Sequence, residues 1–251
     1  MKNDADLAPH CSGRRGDGRE RPRVGRGGGR AGRSCRWTVD GETGFADPAI
    51  RRGKEYLQLD RRDAVLFAPE GRDPLAVTSL ILALHGAGQV GLDMIEALRA
   101  RARRRGVAVV APTSRGTSWR LRQGPVGPDA AFIDLSLRTA FERIAVDPAR
   151  IAVLGMSDGA SYALSLGLAN GDLFRDVIAL EPLQFRTPTT RGASRYFLSI
   201  GRRDRVSGLA NVTRMAETLR AQGFDVELAE HGGGHVMDGD HLDRAIDRLL
   251  S

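Results

Sequence analysis

Gly155-Met156-Ser157-Asp158-Gly159 closes an apolar run and opens a small-residue stretch with helical spacing. A serine between two glycines at such a junction matches G-x-S-x-G, where a strand turns sharply into a helix. The glycines remove Cβ atoms that would clash in the tight turn. Ser157 is then expected on an elbow with its hydroxyl exposed, above a helix N-terminus that supplies free N–H groups and a positive field. A hydroxyl becomes a nucleophile beside a base, and the base needs an acid to orient it. Asp204 follows the apolar run Tyr196–Gly201, and His235 follows the last apolar run after three glycines that let a loop carry it over the sheet edge. Glu181 also ends an apolar run and competes with Asp204 as the acid. Asp204 is preferred because Glu181-Pro182 reads as a strand end, yet the residues alone leave both open. Of the other late histidines, His231 is expected packed or hydrogen-bonded and His241 on a helix surface. His231, His235 and Asp238 make a poor metal set, because the glycines disfavour helical i, i+4 ligand geometry.

These residues need a scaffold, and the rest of the chain supplies the pattern of one. Apolar runs at 56–59, 64–69, 79–84, 107–112, 151–156, 177–183, 196–201 and 226–230 read as strands. Helical spacing appears at 95–106, 129–145, 160–169, 208–223 and 240–250, with Asp129 placed to cap the second. Continuous apolar strands interleaved with helices predict an α/β fold, a mostly parallel central sheet with helices on both faces. Ligands bind such sheets beyond the carboxyl ends of the strands, where Ser157, Asp204 and His235 all fall. The loop Leu84–Gly88, "LHGAG", also follows a strand. In the elbow arrangement one oxyanion donor comes from this loop and one from the residue after the nucleophile, so the N–H groups of Ala87 and Asp158 are the candidates. His85 and Gly86 are expected to shape the loop.

Charge and composition narrow the classes. The net charge of +7 invites a nucleic-acid reading, but residues 1–36 hold ten basic and four acidic residues, a net of +6. The remaining 28 basic and 27 acidic residues leave +1 for the body. The Gly/Arg-rich segment 1–45 has too little apolar surface to offset its ordering entropy and is expected to be a disordered tail before a catalytic domain at 46–251. No nucleic-acid partner is expected. No apolar run approaches the roughly 18 residues that span a bilayer, so membrane insertion is not expected either. Arg14-Arg15 lacks the apolar stretch of an export signal. Both cysteines, Cys11 and Cys35, lie in the tail, which leaves the body without a disulfide framework and makes a cytoplasmic location the expectation.

The chain from about Tyr56 to Leu250 resembles the α/β-hydrolase superfamily. Within it, the chain is most similar to small serine esterases of the carboxylesterase/phospholipase and polyhydroxybutyrate-depolymerase-like group. The resemblance is carried by "LHGAG", "VAVVAPTSRGTSW", "DAAFIDLSL", "VDPARIAVLGMSDGASYAL", "SIGRRDRV" and "HGGGH", in that order. It implies Ser157 as nucleophile, His235 as base and Asp204 as its partner, with hydrolysis of a small-molecule ester and no cofactor or metal. It also implies Trp119 near the substrate cleft, with a plain packing role for that indole left open. Lysophospholipase, thioesterase and peptidase chemistry would use the same groups, and a non-catalytic binding protein would keep only the fold. Only Gln184–Ser194 separates the sixth and seventh predicted strands, where cap domains are commonly inserted, so no cap and an open cleft are expected. Arg115, Arg120 and Arg122 are read as a solvated loop in preference to an anion site.

Overall fold

The computed structural model describes residues 53–70, 76–121, 127–186 and 190–251. The expectations for the 1–45 tail, for Cys11 and Cys35 and for Arg122 lie outside the described residues.

Eight strands form one sheet: β1 Gly53–Tyr56, β2 Ala64–Ala68, β3 Thr78–Leu84, β4 Ala108–Pro112, β5 Val146–Met156, β6 Asp176–Leu180, β7 Arg195–Gly201 and β8 Val226–His231. Their spatial order is β1-β2-β4-β3-β5-β6-β7-β8. β1 and β2 pair antiparallel, as do β2 and β4, and every later pairing is parallel. Five helices complete the described fold: α1 Gly91–Arg105, α2 Pro128–Arg143, α3 Asp158–Ala169, α4 Leu209–Ala221 and α5 Gly239–Leu250.

The two faces of the sheet are covered separately, and the period of two in a strand decides which side chain goes where. Leu80 and Leu82 of β3 pack with the helices α2, α3 and α4, through residues such as Ile133, Leu164 and Leu219. Ile81 and Ala83 point the other way, onto α1 and α5, through Ile95, Leu98, Ile246 and Leu249. Strands wetted on neither face must be apolar at every position, which is why β3 and β4 read as continuous apolar runs.

Several boundaries differ from the sequence reading. The first strand ends at Tyr56 because Gln58 adopts a positive φ of 59°. Asp63 then gathers the Gln58 and Leu59 amides at 2.7 and 2.9 Å, making a tight turn into β2. α1 begins at Gly91, a full turn before the predicted start, with the Val90 N–H donating to the Asp93 carboxylate at 2.9 Å. α2 starts from Gly127 with Pro128 in its first turn, where the missing N–H costs nothing. Asp129 is therefore not the cap. β6 stops at Leu180 because Glu181 leaves the extended region with a φ of 55°.

The connection from β6 to β7 covers residues 181–194 and is too short to hold a cap domain. Its described part is tied down by serines of α3. Ser161 Oγ accepts the Leu183 and Gln184 amides at 3.0 and 3.3 Å, and Ser165 Oγ accepts the Arg186 amide at 3.0 Å. Among the described residues no helix is long and apolar enough to cross a membrane.

Candidate active site

Ser157 sits between β5 and α3 with φ 56° and ψ −116°. That conformation is strained for a residue with a side chain, and the neighbours hold it in place. The Ser157 N–H donates to Leu180 O on β6 at 2.8 Å, and its carbonyl accepts the Ser161 N–H at 3.1 Å. A Cβ on Gly155 would lie 2.5 Å from the Ala160 nitrogen and closer still to the Gly159 carbonyl. A Cβ on Gly159 would lie 2.5 Å from His85 O and closer to Leu84 O. The elbow therefore packs backbone on backbone, which is the physical content of its two glycines.

The hydroxyl has a hydrogen-bonded chain behind it. Ser157 Oγ is 2.8 Å from His235 Nε2, and His235 Nδ1 is 2.8 Å from Asp204 Oδ2. Asp204 Oδ1 accepts the Val206 and Ser207 amides at 2.7 and 3.0 Å. Because Oδ2 takes an N–H from Nδ1, the lone pair of Nε2 is left facing Ser157. Burial pushes the Asp204 carboxyl up, but hydrogen bonds from Glu181, His235 and the Ser207 and Val206 amides outweigh it and hold the group well below the usual carboxylate range. The glycine loop before His235 passes close over the end of β7. A Cβ on Gly201, at the end of β7, would meet Gly233 O at 2.6 Å. Arg203 N–H donates to that same carbonyl at 2.9 Å.

Glu181 does not take the His235 N–H, which goes to Asp204. Its carboxyl accepts the Gly201 N–H at 3.1 Å and the His231 Nε2–H at 2.7 Å. Burial, with the adjacent Asp204, pushes it up to about 9. His231 is buried as expected. His241 is half-buried rather than free on the surface: its Nδ1 is 2.8 Å from Ser199 Oγ, and its ring packs edge-on against Phe197 and His231. Burial lowers its pKa. Asp238 caps α5 by accepting the Asp240 and His241 amides. Glu181, Asp204 and His235 bring three potential ligand atoms within 4.8 Å of one another. Their lone pairs already take protons from the partners just named, so the cluster is built as a hydrogen-bond network.

The loop after β3 faces the elbow. Gly86 N–H is taken by the Gln89 side chain at 2.9 Å, Gly88 N–H by Thr117 O at 2.8 Å and Gln89 N–H by Gly86 O at 3.2 Å. The N–H groups of Ala87 and of Asp158, in the first turn of α3, have no acceptor among the described residues. His85 holds this loop to the next one. Its Nε2 accepts the Ser114 N–H at 3.0 Å, which puts its proton on Nδ1, 2.7 Å from Gly86 O. Burial pushes its pKa down and keeps the ring neutral.

Trp119 is 4% exposed. Its Nε1–H donates to His85 O at 2.7 Å and its ring packs between His85 and Tyr162. Little of the indole is left to face a ligand. The Asp158 carboxylate accepts from Ser118 Oγ and from the Trp119 N–H, so the residue after the serine also anchors the loop after β4. Asp129, buried, anchors the same loop from the other side by accepting the Arg115 and Arg120 amides. Arg115 is no solvated group. It lies 3.6 Å over the Phe132 ring, pairs with Asp60 at 2.6 Å and donates to Thr113 O. Arg120 is exposed as expected. The anchoring roles of Asp158 and Asp129 carry no sequence signal of their own, because an aspartate at a helix start reads first as a cap.

No family model matches the chain. Feruloyl esterase C of Emericella nidulans is 33% identical to it over 132 residues, 49% of this chain and 47% of that protein. The chain thus matches about half the length of this curated relative. The solved carboxylesterase from Mesorhizobium loti has a TM-score of 0.62 at 20% identity, over 79% of this chain and 99% of that one. A phospholipase/carboxylesterase from Dyadobacter fermentans gives 0.59 at 18% identity, over 80% of this chain and 100% of that one. Esterase PE8 gives 0.58 at 23% identity, over 74% and 98%. The chain has the α/β-hydrolase fold of these proteins.

Proposed function

We propose that the chain is a serine hydrolase that cleaves carboxylic esters of small molecules through an acyl-enzyme. The unbroken chain of 2.8 Å contacts from Ser157 Oγ through the His235 ring to Asp204 carries this reading. His235 takes the Ser157 proton on Nε2 as Oγ attacks the ester carbonyl. Asp204 holds the ring tautomer through Nδ1–H and stabilises the imidazolium that forms. The free N–H groups of Ala87 and Asp158 receive the oxyanion, and preorganised donors of this kind contribute on the order of 3 kcal/mol each. His235 then protonates the departing alcohol, and water removes the acyl group by the same steps in reverse. The similarity to proteins named esterase and carboxylesterase favours an ester as the substrate. Trp119, packed between His85 and Tyr162, is assigned to holding the loops on either side of the oxyanion donors. The connection 181–194 is too short for a cap domain at that point, and the open cleft this favours suits short acyl groups or exposed ends of larger esters.

The test is hydrolysis of p-nitrophenyl acetate, butyrate and octanoate by the wild type and by folded Ser157→Ala. Turnover by the wild type that vanishes in the variant is expected. Full activity in Ser157→Ala overturns the proposal.

A further inference from the structure

The fold buries two carboxyl groups behind His235 where the proposed reaction uses one. The side chains of Glu181 and Asp204 are both 0% exposed, and their oxygens lie, with a His235 nitrogen, within 4.8 Å of one another. Two buried anions this close cannot both persist without a cation beside them.

The partners of Glu181 supply none. The Gly201 N–H is a neutral donor. His231 accepts the Gly233 N–H on Nδ1 at 3.1 Å, so its one ring proton is on Nε2, directed at Glu181 Oε1. The groups facing His231 from α5 do not change this. Asp238 Oδ2 is 3.9 Å from Nδ1, beyond hydrogen-bond reach, and His241 packs edge-on at 5.3 Å with its own nitrogen on Ser199 Oγ. One of the two carboxyls must therefore be neutral. Asp204 is surrounded by donors: the Val206 and Ser207 amides on Oδ1 and His235 on Oδ2. That surrounding suits an anion. An oxygen of Glu181 lies within 4.8 Å of one of Asp204, and His231 occupies only Oε1 of that carboxyl.

We infer that Glu181 and Asp204 share one proton, carried by Glu181, and that Glu181 is a positioning residue whose O–H bond to Asp204 holds that carboxylate toward His235. The inference rests on the reading of Ser157, His235 and Asp204 proposed above. Its frame is built for the task. The left-handed backbone at Glu181, φ 55°, lets its N–H bond Ser199 O at 2.9 Å and its C=O accept Ser207 Oγ at 2.8 Å. Ser207 is also the residue whose amide holds Asp204. The upward shift of Glu181 to about 9 agrees with a proton held there at neutral pH.

Infrared difference spectroscopy between neutral pH and a pH of about 10 reads this proton directly and needs no substrate. A protonated-carboxyl band is expected in the wild type at neutral pH and is expected to be missing in Glu181→Gln. In Asp204→Asn the band is expected to titrate at least about one pH unit lower, because the charge that holds the proton on Glu181 has been removed. No band lost in Glu181→Gln, or an unmoved midpoint in Asp204→Asn, overturns the shared proton.

Kinetics tests the positioning. Glu181→Leu is expected to lower kcat about ten- to a hundredfold with KM within about twofold. Glu181→Gln, which keeps a neutral donor of the same shape, is expected to recover most of that loss. A glutamine variant as poor as the leucine variant means Glu181 works as an anion and overturns the inference. If the wild type hydrolyses no ester while both infrared results hold, the esterase reading fails and the shared proton stands.

Discussion

Gly159→Ala measures how far the elbow depends on contact between main chains. The new Cβ would fall 2.5 Å from His85 O and closer to Leu84 O, whereas ordinary contact begins near 3.4 Å. Both neighbours are backbone, so no side chain can rotate away. The N-terminus of α3 and the end of β3 must separate by about 1 Å. α3 follows directly on Ser157 and carries the Asp158 N–H, and the loop after β3 carries the Ala87 N–H, so the shift pulls the two proposed oxyanion donors apart. A misplacement of about 1 Å costs on the order of a hundredfold in rate. Overpacking of this kind also costs about 1–3 kcal/mol of stability. The expected result is a folded variant with kcat/KM for p-nitrophenyl acetate down about a hundredfold and a lower urea midpoint. Gly232→Ala is the control, because nothing lies within 4 Å of its new Cβ and its φ is ordinary. A folded Gly159→Ala that keeps kcat/KM within about threefold of wild type would refute the close approach as the device that positions the donors.

Asp158→Ala keeps the backbone N–H but removes the carboxylate that holds Ser118 and Trp119. It is expected to lower stability by about 2 kcal/mol in urea unfolding and to reduce kcat far less than Gly159→Ala. Asp204→Asn loses the acceptor for His235 Nδ1–H and is expected to lower kcat by about 10³ to 10⁴, read with the same ester. Glu181 keeps its proton in the fold up to about pH 9, whereas an unfolded chain releases it near 4.5. The folded state then binds more protons between those values, so this group subtracts stability as pH rises through the window. The Tm of Glu181→Gln minus that of the wild type is therefore expected to grow from about pH 5 to about pH 9, and a constant difference contradicts the buried proton. Removing residues 1–36 is expected to leave ester hydrolysis unchanged in the p-nitrophenyl assay.

The alternation of apolar strands and helices was legible because a parallel sheet covered on both faces admits no polar alternation; β3 and β4 announce themselves in seven and five buried residues. What escaped lies where local signals have two meanings. Asp129 near a helix start reads as a cap, yet Gly127 and Pro128 begin α2, and the carboxylate serves the loop 113–120 instead. Arg115 in a polar loop reads as solvated, yet it lies over Phe132, because its long apolar stem and planar head suit a ring face. His241 on a polar helix reads as exposed, yet its face of α5 lies against Phe197 and Ser199. In each case the partner comes from a distant part of the chain, and no window of sequence contains both.

The sequence by itself determined that a serine stands on a strained strand-to-helix turn, because the steric demand falls on five consecutive residues and the two glycines answer it there. It also determined which strand ends bear a histidine and two acids. Only the tertiary structure decided which acid faces His235. β6 and β7 are neighbours in register, so Glu181 and Asp204 arrive at the same edge of the sheet. The positive φ at Glu181 and the pull of Gly201 and His231 turn its carboxyl to the interior, while the Val206 and Ser207 amides aim Asp204 at the ring. Side-chain direction at a strand end depends on backbone torsion and on partners tens of residues away, and neither is written in the types of the residues themselves.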